Sequence, residues 1–180
     1  MATTRRTPRG VVPVEPQPGQ ESVWDYPRPP RTEPSSEHVV VRLGGAVVID
    51  TRRSLRLLET SHPPTYYLPL DDVAPGALRA AAGSSFCEWK GIASYLDVVG
   101  GSDGGPDGQP VVAERAAWTY PHPTPPFEHL AGYLALYPAR MDECTVDDEP
   151  VRAQEGGFYG GWVTGRVVGP FKGGAGSSSW

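Results

Sequence analysis

Two charged residues stand beside aromatic neighbours in a way that suits proton transfer. Glu59 closes an apolar run, with His62, Tyr66 and Tyr67 just beyond it, and Lys90 follows Trp89 directly. General acid–base work on a small organic molecule uses a carboxylate and an amine in a drier, aromatic-lined pocket, where both kinds of group ionise nearer neutrality. On this reading Glu59 and Lys90 are the catalytic pair. His62, Tyr66, Tyr67, Trp89, Trp118 and Tyr120 then contact the substrate. The same charges serve equally well as a structural ion pair beside packed rings, because structural networks also perturb titratable groups.

Other chemistry-bearing residues point less far. Cys87 is a nucleophile only if His62 or His122 acts as its base, since the thiolate is the reactive form. Free cysteine is more commonly buried and inert. Cys87, Cys144, His122 and His129 lack the Cys-x-x-Cys or His-x-x-x-His spacing of zinc sites, so no metal or other cofactor is expected. Lys172 precedes Gly173-Gly174-Ala175-Gly176, the reverse of a phosphate-binding loop. Asp71-Asp72 and Asp147-Asp148 would point to opposite faces of a strand, which suits a helix cap and a turn better than magnesium. Trp118, Tyr120, Phe158, Tyr159 and Trp162 offer flat faces for stacking, although core packing is expected to claim at least half of them.

The chain has 180 residues, the size of one domain, and its 16 basic against 21 acidic residues leave a net charge of −5. That balance removes the long-range attraction on which phosphate-backbone binding depends, so no nucleic-acid partner is expected. Two cysteines are too few for a disulfide scaffold, and no charged-then-apolar leader is visible, which predicts a cytoplasmic location. Apolar runs such as Val39 to Val41 fall far short of the roughly 20 residues a bilayer requires, so no membrane partner is expected. The expected partner is a small-molecule ligand.

These residues must be positioned by β structure. Met1 to about Gln20 carries Arg5, Arg6, Arg9 and several prolines with few large apolar groups, and is expected to be a disordered tail ahead of a single β domain over 21–180. Alternation of Val39, Val41 and Leu43, then Gly44-Gly45, then Val47 and Ile49 predicts a β-hairpin. Strands are predicted around Leu55 and Leu57, over Thr65 to Leu68 after a proline elbow, and over Phe86 to Lys90, Ile92 to Val99, Val111 to Tyr120 and Leu134 to Tyr137. Gly100 to Gly108 reads as an exposed loop. An acidic start at Asp71-Asp72, an alanine run and Gly83 predict one short helix, and Phe127 to Tyr133 a second helical turn. With 22 glycines, 21 prolines and no repeated crossover helices, the pattern predicts a mostly β, compact single-domain fold of barrel or tent type. Trp24-x-Tyr26-Pro27-x-Pro29 and Trp118-x-Tyr120-Pro121-x-Pro123 echo one another as a possible sign of two related halves.

Five blocks carry a family resemblance: Ser22 to Pro30, Leu58 to Tyr67, Cys87 to Gly91, Ala117 to Pro121, and Gly157 to Thr164 running on to Gly169 to Gly173. Together they resemble the microbial family of domain of unknown function 427, over Glu21 to Trp180. The resemblance implies a compact β fold, akin to the tent-type proteins that bind zinc or reduce methionine sulfoxide, but here without their paired cysteines. It also brings a nucleotidyltransferase-like label that transfers no catalytic residue. The resulting expectation is a small-molecule-binding β protein, with cofactor-independent acid–base catalysis in an aromatic pocket. A non-catalytic interaction or ligand-sensing module and a nucleotidyltransferase-like enzyme are the alternatives.

Overall fold

Alternation is the rule that builds this molecule. The computed structural model describes residues 7–180, so Met1 to Arg6 of the expected tail lie outside the described residues. β1 (Glu21–Ser22) leads into a 3₁₀ turn at Val23–Asp25, and β2 (Arg31–Ser35), β3 (Val39–Leu43), β4 (Ala46–Thr51), β5 (Ser54–Leu58) and β6 (Thr65–Pro69) follow. Next come β7 (Leu78–Cys87), β8 (Gly91–Val99), β9 (Val112–Thr119) and β10 (Tyr133–Leu136). The chain closes with β11 (Glu143–Val146), β12 (Glu149–Pro150), β13 (Arg152–Ala153), β14 (Trp162–Val163) and β15 (Val167–Val168).

The larger sheet is antiparallel, in the order β2-β5-β6-β10-β9-β8-β7, and the smaller runs β12-β11-β3-β4. In β3 the alternation is visible directly: Val39, Val41 and Leu43 are buried while Arg42 is exposed. Gly44 and Gly45, at φ 56° and 74°, make the β3–β4 turn, where both central residues need a positive φ to match strand twist. Val39, Val41, Val48, Cys144 and Val146 of the smaller sheet interlock with Tyr66, Leu68, Val98, Leu134 and Leu136 of the larger one. The core therefore lies between two stacked sheets, and the sheets do not close into a barrel: β2 and β7 are free ends of the larger sheet. This is the mostly β fold expected, with helical structure limited to 3₁₀ turns among the described residues.

The helix predicted between Asp71 and Gly83 is not formed. Leu70–Asp72 is a 3₁₀ turn, and Leu78–Cys87 is strand β7, paired with β8 from Leu78↔Val98 to Cys87↔Gly91. Alanine favours helix, but so short a helix cannot repay its nucleation cost alone, whereas pairing with the β-branched and aromatic β8 satisfies the backbone groups on the side that faces β8. A register shift between Ala80 and Ser84 absorbs the small residues as a bulge, and Arg79 meets Asp97 at 2.9 Å across the pair. The predicted turn after Phe127 is a 3₁₀ helix at Pro125–Leu130. The two Trp-x-Tyr-Pro-x-Pro strings occupy unlike elements, one in the Val23–Asp25 turn and the other ending β9, so they do not mark equivalent halves.

Residues 7–20 form no strand or helix, but they follow the body of the protein. Val14 N–H donates to Gly169 O at 2.8 Å, Gln20 Nε2 donates to Gly165 O at 2.8 Å, and Val11 packs against the Val23, Trp24 and Leu58 cluster. No helix of the described chain is long and apolar enough to cross a membrane.

Candidate functional site

The face of the larger sheet turned away from the smaller one carries a cleft of about 710 Å³. Leu57, Tyr67, Trp118, Tyr95 and Cys87 reach it from β5, β6, β9, β8 and β7 of the larger sheet, because residues two apart along each strand share a face. Glu59, His62, Tyr67, Trp89, Lys90, Trp118 and Tyr120 all line it. Tyr66 does not. It alternates with Tyr67 in β6, so it points into the inter-sheet core, where it packs 5.0 Å from Trp162 and donates its hydroxyl to Glu37 Oε2 at 2.9 Å.

Glu59 and His62 sit on the loop between β5 and β6, and backbone bonds from three segments fix that loop. His62 N–H donates to Glu59 O, Ser61 N–H to Val23 O and Thr60 N–H to Pro27 O, while Lys172 N–H donates to Ser61 O at 2.8 Å. Ser61 adopts φ 72° at the tip, a conformation that non-glycine residues hold only when the surroundings over-determine it. The 88–90 turn between β7 and β8 is pinned as firmly, since Thr124 donates its N–H to Lys90 O at 3.1 Å and its hydroxyl to Trp89 O.

Glu59 and Lys90 face one cleft without pairing to each other. The carboxylate of Glu59 stands 3.4 Å from the guanidinium of Arg28. Lys90 is 7% exposed, has no carboxylate partner among the described residues, and lies with Nζ 5.6 Å from the centre of the Tyr120 ring. A mutual structural ion pair is thereby corrected: each charge has a separate environment.

His62 is held in a defined tautomer. Gly161 N–H occupies Gln154 Oε1 at 3.1 Å, so the Gln154 amide group faces outward with its NH₂, which donates to Lys172 O at 2.7 Å and to His62 Nδ1 at 3.0 Å. Nδ1 accepts, and Nε2 carries the proton. Burial, together with the positive charges of Lys172, Arg28 and Lys90, pushes the imidazole down to about 4 from 6.5, so it is neutral at physiological pH. Burial likewise pushes the phenols of Tyr67 and Tyr120 above their ordinary value, which keeps both as neutral hydrogen-bonding groups.

The remaining chemical candidates separate cleanly. Cys87 is half-buried and lines the cleft, contrary to the expectation of a buried residue, because it is the last residue of β7 before the 88–90 turn. Cys144 is buried in the core, and desolvation pushes its thiol up to about 12. Asp72 receives hydrogen bonds from Thr51 and Arg53, and Asp147 and Asp148 make the β11–β12 turn at φ 47° and 65°. Among the described residues no three His, Cys, Asp or Glu side chains gather into a metal-binding cluster. Of the flat aromatics, Trp162 is core, Phe158 is 76% exposed, and Trp118, Tyr120 and Tyr159 line the cleft.

Sequence reasoning missed Arg28, Gln154 and Lys172 as parts of this site, since nothing local says that residues 28, 154 and 172 meet at His62. It also left unused the glycines after Tyr159. A Cβ on Gly160 would lie 2.3 Å from the tip of the Trp118 indole, a distance real side chains do not tolerate. Gly160→Ala is therefore expected to displace Trp118 and reshape the cleft wall. Tryptophan fluorescence should shift and the cleft should lose ligand capacity, whereas an unchanged spectrum and an unchanged Trp118 position in a crystal structure of the variant would refute the role. A second cavity of about 440 Å³, bordered by Arg115 and Arg140, shares Tyr95, Tyr137, Gln154 and Tyr159 with the main cleft.

A second polar assembly, on the far side of β5, was also illegible. Arg56 is 1% exposed and is held by Glu21 at 2.8 Å and Glu33 at 2.7 Å, while Arg166 joins Glu21 at 2.7 Å to Glu37 at 2.6 Å. Burial alone would raise the Glu21 carboxyl, but hydrogen bonds from Arg56, Tyr26 and Arg166 outweigh it and hold it at about 2.

Two stacked antiparallel sheets with an aromatic, partly cationic cleft on the outer face define a small mostly β protein whose free surface chemistry is concentrated in one place. The chain belongs to the family described as Domain of unknown function (DUF427), whose model matches residues 31–147. The matched span contains Glu59, His62 and Lys90, whereas Arg28, Gln154, Tyr159 and Lys172 contribute to the cleft from outside it. No curated protein matches this chain.

Proposed function

We propose that the protein binds a small organic molecule in the outer-face cleft and acts on it by acid–base chemistry, with Glu59 and Lys90 as the proton-transferring groups. The observation that carries this reading is the convergence on one cleft of seven candidate residues from the 59–67, 89–90 and 118–120 segments. The volume suits a single metabolite, since ligand pockets run to roughly 300–1,000 Å³. Arg28 orients the Glu59 carboxylate, His62 offers an Nε2–H donor, and the rings of Trp89 and Trp118 supply walls. Two free cysteines support a reducing, cytoplasmic setting.

Soaking crystals in a metabolite mixture is expected to place one molecule against Lys90 and Trp118. With that molecule as probe, Glu59→Gln is expected to lower turnover at least about a hundredfold, the low end of single general acid–base contributions. Its stability cost should stay below about 1 kcal/mol, because the Arg28 pair is solvent-accessible. Unchanged affinity and turnover, with the protein folded, would remove Glu59 from the chemistry.

One observation favours a second reading, a docking module. Phe86 and Ile92 pair across the β7–β8 hairpin at 77% and 61% exposure, and Phe86 and the exposed Phe158 also line the cleft. If soaks leave the cleft empty and Phe86→Ser with Ile92→Ser abolishes capture of a protein partner, that reading replaces the first.

A further inference from the structure

The charges around the cleft identify the chemical class of its ligand. Lys90 is more than nine-tenths buried, its ammonium opens on the cleft, and neither a carboxylate nor a hydrogen-bond acceptor among the described residues meets it. A buried cation without a counter-charge is costly, and the Tyr120 ring repays only a fraction of that cost.

The surroundings add to this imbalance. Arg28, Lys90 and Lys172 face the cleft against the carboxylates of Glu59 and Glu88, and Arg28 already engages Glu59. Lys172 donates its ammonium to Trp180 O at 2.6 Å, so Lys90 is the cation of this group that meets no acceptor among the described residues. His62 presents an N–H, not a lone pair, on its ring edge away from Gln154. The cleft lining carries three cations against two carboxylates on a chain of net charge −5. Beside Lys90 stand the indoles of Trp89 and Trp118, which present flat apolar surface.

We propose that the cleft takes a planar small molecule bearing a carboxylate or phosphate group, with the anion on Lys90 and the ring against Trp89 and Trp118. This rests on the reading of the cleft as a small-molecule site. It restricts that site to anions, with the His62 Nε2–H as secondary attraction.

Binding of benzoate, phenyl phosphate and benzamide to the full chain, measured by titration calorimetry, tests the assignment. Benzamide matches benzoate in shape and lacks its charge. At least one of the two anions is expected to bind tenfold or more tightly than benzamide, and which of them does so separates a carboxylate from a phosphate ligand. Lys90→Met should abolish that preference while leaving benzamide binding within a factor of two, and Lys90→Arg should retain the preference within a few-fold. Melting curves establish that each variant is folded. Should Lys90→Met not fold, Lys90→Gln carries the same comparison. Equal affinity for benzamide and the anions, or a preference that survives the loss of Lys90, overturns the anion assignment and leaves the small-molecule cleft standing. No binding by any of the three probes overturns the anion assignment, and a ligand found by the metabolite soak then decides the broader reading separately.

Discussion

Arg56→Met is expected to destabilise the protein by about 3 kcal/mol, at the low end of the roughly 3–5 kcal/mol that follows when one partner of a buried ion pair is removed. The methionine fills the space of the arginine, so the loss measures the carboxylates left behind. Glu21 and Glu33 lose a guanidinium that is 1% exposed, while their own partial exposure, 31% and 34%, lets water recover some of the deficit. For a domain of this size the melting temperature should fall by roughly 6–12 °C. Glu21→Gln in the Arg56→Met background should recover part of the loss, because the two residues share one network and their effects do not add. The pH profile supplies a second readout. The Glu21 carboxyl is held at about 2 against 4.5, so its contribution is fully present above about pH 4.5 and is lost as pH falls through 2. Arg56→Met should shrink this acid leg. A melting temperature within 2 °C of the parent would show that Arg56 is held by packing and not by charge.

A second acid transition is expected higher on the pH scale, from His62. Its imidazole titrates near 6.5 in the unfolded chain and near 4 in the folded one, so between these values the unfolded state binds the extra proton and gains by it. The contribution is fully present above about pH 6.5, declines as pH falls, and is gone below about 4, amounting to roughly 3 kcal/mol. Urea unfolding at half-unit steps from pH 7.5 to 3.5 should therefore show a loss that begins well before the carboxylates titrate. His62→Asn keeps an acceptor for the Gln154 amide and has no titration of its own, so it should flatten the profile between pH 6.5 and 4 while preserving the steeper fall below. The same slope in parent and variant would place the transition elsewhere. A bound anion should displace the whole curve, because it offsets the Lys90, Lys172 and Arg28 charges that hold the imidazole neutral.

The local pattern was enough for the hairpin at Val39 to Thr51, since alternation and Gly44-Gly45 specify strand, face and turn within a dozen residues. It was enough, too, to single out Glu59, His62, Trp89 and Lys90, because charge beside aromatic residues is visible without coordinates. It misled at Leu78–Cys87. There the alanine run has helical preference, and the partner that overrides it, β8, acts through hydrogen bonds that no propensity contains. It also misplaced Tyr66. Two adjacent tyrosines on a strand face opposite ways, and only the position of the smaller sheet decides which of them faces the inter-sheet core and which the cleft.

Charge pairing lay furthest from the sequence. Glu59 and Lys90 were natural partners by type, yet Glu59 took Arg28, 31 residues earlier in the chain, and Lys90 took no anion among the described residues. Arg56 and Arg166 tie three carboxylates together beneath β5, and nothing in their local sequence marks them for it. What the sequence by itself determined was the β class, the family and the residue types from which a site could be made, because these follow from short-range periodicity and motif blocks. Which charges meet, and which one is left open to a ligand, depended on segments near residues 28, 60, 90, 154 and 172 arriving at one place. Coulombic and hydrogen-bond partners are chosen by distances of a few ångströms in space, and only the tertiary structure sets those distances.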